Sequence, residues 1–357
     1  MNIANKILIG CCLFSAHLSL KSQELIISND ATIDVLPGTS IILANGMNLV
    51  NHSISGILNG TFVFQGTLPQ NISGDYAVEF ANLTIDQNAT VSLLNDVKVN
   101  STLTLSNGYI NLLNNNLTVL SNAAVNGVFS ETAMIVAEGN GKLGFEISGT
   151  GNYLFPIGDT SGVDDYAPVS LVFNSGSFTN AIVSANLKTQ KHPNNSSTTD
   201  YLKRYWTISQ TGISSFDCDV NFTYINDDIQ GSESNIYGVK WNGSAWTALN
   251  KSSMNSISGN VGDFNDFTGA EAAILANKEL IEDNVKVFNN GNVIIISAKD
   301  NFKLKRAEVF NKLGQVVFVK DLSKSNYNEI NLALFRDIYL LRIYSENQSF
   351  TKKILVE

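Results

Sequence analysis

Between residues 80 and 127 the chain reads FANLTIDQNATVSLLNDVKVNSTLTLSNGYINLLNNNLTVLSNAAVNG. Apolar side chains alternate with polar ones at Leu83/Ile85, Val91/Leu93, Val97/Val99, Leu103/Leu105, Ile110/Leu112 and Leu117/Val119. A period of two bounded by turn residues predicts short strands. Asn-rich breaks separate them, at Asp86-Gln87-Asn88, Asn95-Asp96, Ser106-Asn107-Gly108 and Asn114-Asn115-Asn116. Asn tolerates the left-handed conformation of tight corners and can bond its own backbone. The close recurrence of these breaks predicts stacked coils of a β-solenoid over 24–130; a flat β-sandwich would give a similar alternation.

The pattern changes over 131–277. Strands lengthen, loops widen and aromatic residues appear. YGVKWNGSAWTALN predicts a hairpin that turns at Asn242-Gly243, with the register of Trp241 and Trp246 left open. This region reads as a central antiparallel β-sandwich. Residues 269–282 carry the one helical propensity in the chain, or a last strand followed by a linker (278–283). Over 284–357, about seven short strands predict a small immunoglobulin-like sandwich. One hairpin turns at Asn311-Lys312-Leu313-Gly314, where Gly314 suits a left-handed position. The last hairpin joins 339–344 to 350–356. On its final strand Phe350, Ile354 and Val356 share a face with Lys352, which must snorkel or lie at a bulge. The fold class expected is therefore all-β: solenoid-like, then sandwich, then a C-terminal immunoglobulin-like sandwich.

Composition sharpens the divisions. Only 15% of residues are charged, below the roughly 25% usual for soluble domains. Net charge is −9, which makes nucleic acid an improbable partner. Residues 284–357 hold 12 Lys+Arg against 7 Asp+Glu, so a basic module ends an acidic chain. No arginine precedes Arg204. Residues 1–23 carry Lys6 and an apolar run over 7–20, the pattern of a secretory signal peptide rather than of a short buried strand or helix. Residues 8–11 also look like a lipobox, with too short an apolar run before Cys11 for lipidation to be the main reading. Removal of the signal leaves Cys218 as the one cysteine, expected as a small buried hydrophobe without a disulfide.

Candidate chemistry is sparse. A glycan-active enzyme needs a carboxylate pair or cationic clamps on one face. Between Glu24 and Glu138 the single Lys or Arg is Lys98. The carboxylates Asp30, Asp34, Asp75, Glu79, Asp86 and Asp96 are spread along the chain and read as turn residues, although a pair could meet across coils. His52 and His192 have no metal-ligand spacing. Asp159, Asp164 and Asp165 form an acidic loop that could offer oxygens to calcium, as could Asn226, Asp227, Asp228 and Glu233. No other cofactor is expected. Trp241 and Trp246 could meet a glycan, or belong to the core.

The tail carries a family resemblance. The hairpin around 310–317, Asn331-Leu332 before an apolar turn, the strand over 338–343 and the ending Thr351-Lys352-Lys353-Ile354-Leu355-Val356 resemble the C-terminal sorting domain of proteins exported by the type IX secretion system of Bacteroidetes-type bacteria. Two positions depart from the family: residues 288–291 lack its prolines, and Asp337 stands where glycine is usual. The resemblance implies sorting-signal roles for Gly314, Tyr339, Arg342, Lys352 and Lys353. It also implies passage across the outer membrane on the type IX machinery and a secreted or cell-surface destination. An ordinary adhesive immunoglobulin-like domain is the alternative. The function expected is a non-enzymatic structural or adhesin-like protein that meets a surface glycan or extracellular ligand; the alternative is a glycan-active hydrolase or a calcium-dependent glycan-binding module.

Overall fold

The computed structural model describes residues 6–7, 23–28, 31–274, 285–299, 303–323, 325–345 and 349–356. The signal-peptide segment lies outside the described residues, save for Lys6–Ile7 and Gln23. Strands make up 63% of the chain, and among the described residues there is no α-helix. The chain divides into two compact units, 1–271 and 272–357.

The first unit opens with a β-solenoid of about 6 turns. Each coil places one strand in each of two parallel sheets. One sheet stacks Thr32–Asp34, Ile57–Gln65, Val78–Asp86, Val97–Leu105, Leu117–Val119 and Leu143–Ile147. The other stacks Glu24–Ile27, Asn48–Asn51, Gln70–Gly74, Ala89–Leu93, Gly108–Asn111, Ala133–Val136 and Ile157–Asp159. The pairs Leu49/Ile72, Ile72/Leu93 and Ile110/Ile135 set the register. Every one of the twelve alternating apolar residues named above has zero exposure. Alternation works here because odd and even side chains leave opposite faces of a strand, and only one face meets the core.

The corners follow from residue type. In the Asn-rich break at 86–88, Gln87 and Asn88 adopt positive φ (51° and 62°); Asn45 (49°) and Leu113 (52°) do so outside the breaks named above. Gly74 is required for space: a Cβ there would lie 2.0 Å from the carbonyl oxygen of Asn51 in the preceding coil. Asn51 is fully buried. Its side-chain amide faces the carbonyls of Ser53, Tyr76 and Ala77 at 3.0–3.1 Å, and its Oδ1 accepts the Ser53 N–H. One side chain thus pairs the backbone groups of two coils at a corner that no strand can serve.

The antiparallel part grows directly out of the solenoid. Leu143–Ile147 pairs in parallel with Leu117–Val119 on one side and antiparallel with Val169–Lys188 on the other. The first solenoid sheet therefore runs on through Val169–Lys188, Tyr205–Thr223, Asp266–Glu271, Ile236–Trp241 and Trp246–Lys251, reaching 16 strands. Parallel stacking continues past residue 130 as far as Ile157–Asp159. One continuous hydrophobic core fills the unit, with Trp206, Phe155, Phe173, Phe222 and Phe267 at its antiparallel end. The segment 269–282 begins as the end of strand Asp266–Glu271, then a 3-10 turn at Ala272–Ile274; its remainder lies outside the described residues. Gly269 packs where a Cβ would meet Ile236 and Leu202, so its role here is close approach within a sheet.

Among the described residues the second unit has seven strands in two antiparallel sheets around its own core. One sheet orders Val285–Asn290, Val293–Ala298 and Tyr327–Asn331. The other orders Val316–Asp321, Leu304–Phe310, Asp337–Ser345 and Ser349–Val356. The final strand pairs without a bulge from Ser349 to Val356. Lys352 therefore snorkels, and its Nζ donates to the Val287 carbonyl at 3.0 Å.

Candidate functional site

The acidic loops have a partner that sequence spacing did not assign to them. Arg204 has zero exposure, and its guanidinium meets three carboxylates: Asp159 at 2.5 Å, Asp165 at 2.8 Å and Asp228 at 2.8 Å. Asp159 ends a solenoid strand, Asp165 opens the strand pairing with it, and Asp228 lies in a 3-10 turn. The fork geometry of arginine lets three different nitrogens each serve one acid. Asp164 points elsewhere and accepts the Tyr109 hydroxyl at 2.6 Å. The trio Asp159, Asp164 and Asp165, expected as oxygens for calcium, is thus divided. Two of them neutralise a buried cation of the protein's own and the third faces Tyr109. The other candidate loop divides the same way: Asp228 joins Arg204, and Glu233 accepts Tyr224 OH at 2.6 Å. Among the described residues no group of three or more His, Cys, Asp or Glu side chains is placed to hold a metal ion, the acids around Arg204 being gathered on its guanidinium.

Three carboxylates against one guanidinium leave an excess of negative charge. Burial pushes the Asp165 carboxyl up to about 6, against the pull of Arg204, with Asp228 and Asp159 adding to the rise. Asp159 is likewise raised, burial again being the largest cause. Asp165 Oδ1 is buried and makes no hydrogen bond among the described residues. The one signal in the sequence was the position of Arg204, the first arginine of the chain, in an acid-rich region.

The solenoid carboxylates are each held locally. Asp34 accepts Asn59 Nδ2 at 2.6 Å, Asp75 meets His52 at 2.7 Å, and Glu79 accepts Asn100 Nδ2 at 2.7 Å. Asp86 accepts the Gln87 N–H, and Asp96 accepts the Asn116 N–H of the next coil at 2.7 Å. Lys98 sits in register beside Glu79. Asp30 lies outside the described residues. These are corner and ladder contacts, and the bonds named do not link one carboxylate to another.

The hairpin pairs Trp241 directly opposite Trp246, with ring centroids 5.0 Å apart. His192 packs beneath them, 5.0 Å from the Trp246 ring and 4.9 Å from Tyr205, with Nε2 3.1 Å from Asp266. It is 3% exposed, a core histidine whose polarity is satisfied by Asp266. Trp246 Nε1 donates to the Asn194 carbonyl at 3.2 Å. Cys218 has zero exposure, and burial pushes its thiol up to about 12.

In the second unit the residues singled out for sorting occupy three places. Gly314 takes φ 77° in its turn, where Asn311 accepts the N–H groups of Leu313 and Gln315. Tyr339 is buried with its hydroxyl on the Phe335 carbonyl. Arg342 and Lys353 stand on the outer face of the four-stranded sheet. Arg342 covers the Phe310 ring at 5.2 Å, and Lys353 lies beside Leu340. Val316, Val319, Ile338, Leu340 and Leu355 are exposed on that unit, an apolar set with a basic border. Lys352 belongs to the inner side. Asp337, where the family usually has glycine, caps Ile338 N–H and pairs with Lys312 at 2.7 Å.

No curated protein matches the chain. Residues 289–357 match the family described as the secretion system C-terminal sorting domain, and the seven-strand sandwich described above spans that match. The described strands, the turn at Gly314 and the paired ending through Val356 all lie in or beside that span. The second unit is accordingly a type IX secretion C-terminal sorting domain, handled by that machinery, and the chain is that of a secreted or outer-surface protein.

Proposed function

We propose that this is a non-enzymatic, adhesin-like structural protein, exported with an N-terminal signal peptide and then displayed by the type IX machinery. The observation that carries the reading is the outer face of the first solenoid sheet. Register stacks Thr61 beside Asn82 and Thr102, and Val63 beside Thr84, Thr104 and Asn126. Successive rows lie about 4.8 Å apart, the spacing of neighbouring strands. Apart from the Glu79–Lys98 row, the hydroxyls and amides of this regular face suit contact with an extended surface. Hydrolysis of a glycan would instead call for two carboxylates facing one cleft about 5–10 Å apart. The acids named above are engaged by Arg204, Lys240, histidines, tyrosine hydroxyls, backbone N–H groups and Asn side chains, which favours the structural role.

The test has two arms. Deleting 284–357 in the native host should abolish surface display, measured by surface proteolysis and cell fractionation; retained display would sink the export reading. The purified full chain should release no reducing sugar from a polysaccharide panel, with or without calcium. Release of sugar that stops on substituting a carboxylate would establish the enzyme in its place.

A further inference from the structure

Strand Tyr205–Thr223 is 19 residues long and pairs along one edge with Val169–Lys188. Its other edge is covered only at its ends. Ser256–Val261 takes the part from Cys218 to Thr223, and Asp266–Glu271 takes the part from Tyr205 to Thr207. Between them the chain crosses over through residues 262–265. Among the described residues the crossing gives the uncovered edge one backbone bond, from Ile208 N–H to the Asn265 carbonyl at 2.9 Å. The gap is a groove of about 420 Å³, within the range of small-ligand sites.

Its lining combines aromatic carbon with unused polar groups. Phe216 and Phe264 lie 4.7 Å apart at 32°, with Phe264 half-buried. Gln210 uses Oε1 on the Ile213 N–H at 3.0 Å. Its amide N–H groups, the Ser214 hydroxyl and the Asn265 side chain make no hydrogen bond among the described residues. Ser215 takes φ 50°, a left-handed conformation that a non-glycine residue adopts at some cost. Of the charges nearby, Asp263 pairs with Lys240, and the Lys142 Nζ donates to Ser209 Oγ at 3.0 Å.

A ligand for this groove must therefore bring many hydroxyls, little charge and a face of C–H groups. We infer that it binds a neutral hexose unit of an extracellular glycan. The sugar's hydroxyls would meet Gln210, Ser214 and Asn265, and its C–H face would meet Phe264. The lining itself holds no Lys or Arg for a uronate or sulfate ester to pair with, and it includes the Asp263 carboxylate. The inference rests on the reading of the first unit as a displayed binding module, and names the ligand class and the place.

The experiment uses the purified full chain on an array of neutral hexose oligosaccharides (glucans, mannans, galactans), with uronate and sulfated glycans as comparison. Wild type should bind a neutral glycan. Gln210→Ala and Asn265→Ala should each weaken binding by about tenfold, the upper end for one hydrogen bond. Ser214→Trp should block the groove. Both alanine positions lie outside the core, and thermal melting confirms that each variant folds. Undiminished binding in all three variants, binding of charged glycans alone, or no binding of any neutral glycan would overturn the inference. Adhesion of intact cells to a surface, compared between wild-type and deletion strains, is a separate readout. Adhesion that persists in the Ser214→Trp strain would discard the groove and keep the adhesin reading.

Discussion

Arg204 shows how much can depend on a single side chain. Replacing it with Met leaves Asp159, Asp165 and Asp228 facing one another without a counter-charge. The expected loss is about 3–5 kcal/mol, read as a fall in the urea midpoint. The pH dependence of this cluster has a definite sign. The fold raises Asp165 to about 6 from 3.8, so the folded state prefers its protonated form. Stability from this group is complete below the unfolded value and is lost as pH rises through the folded one. The urea midpoint should therefore gain a contribution from this group as pH falls from about 7 to about 5, and Asp165→Asn should remove that contribution. A contribution of the opposite sign would show that Asp165 stays ionised on Arg204 throughout. Cys218 gives a cleaner readout. A thiol raised to about 12 and fully buried should resist iodoacetamide in the native chain and react fully in denaturant. Rapid native alkylation would contradict its burial.

At the level of elements, a solenoid coil is stabilised by what it stacks on. Each coil offers an apolar inner row, a polar outer row and corners that must turn without leaving backbone groups unpaired. Asn51 answers the last need at one corner. Asn51→Ala removes its contacts to three carbonyls and one N–H, and should cost at least about 2 kcal/mol. Hydrogen exchange should locate the damage at 51–53 and 76–77, in two successive coils at once. Exchange that rose only at 51–53 would show that the side chain does not bridge coils. The same corner explains Gly74, whose Cβ would strike the Asn51 carbonyl. Strand pairing also explains the long strands Val169–Lys188 and Tyr205–Thr223. Their register shifts between Phe173 and Ser175, and again between Phe178 and Ile182. Such shifts bend a sheet and let a 19-residue strand change partners along its length.

For the whole molecule, two separate cores have a thermodynamic consequence. The larger core lies wholly in 1–271 and the smaller wholly in 272–357. Calorimetry should resolve two transitions. Leu341 has zero exposure in the smaller core, so Leu341→Ala should lower that transition alone, by about 2–5 kcal/mol. A coincident shift of both transitions would mean that the units unfold together. Separate cores also fit the division of labour, since an export label that folds by itself can serve a passenger of any chemistry.

How much of this was legible in the sequence follows from the range of each interaction. Period-two alternation, Asn-rich breaks and the Gly314 turn are local, because adjacent side chains on a strand must face opposite ways and a tight corner needs left-handed backbone. They gave the strands, the solenoid and the paired ending through Val356. The sorting domain was legible for the same reason, since its strand order and turn residues recur along one short stretch. The pairing of Trp241 with Trp246 was left open, because one residue of turn length reverses every face of a hairpin. Arg204 is 45 residues from Asp159, 39 from Asp165 and 24 from Asp228, so nothing in their spacing joined them. The groove beside Phe264 depends on two strands leaving a third half-covered. Those arrangements are fixed by which strands pair and how a common core closes, and only the tertiary structure decides that.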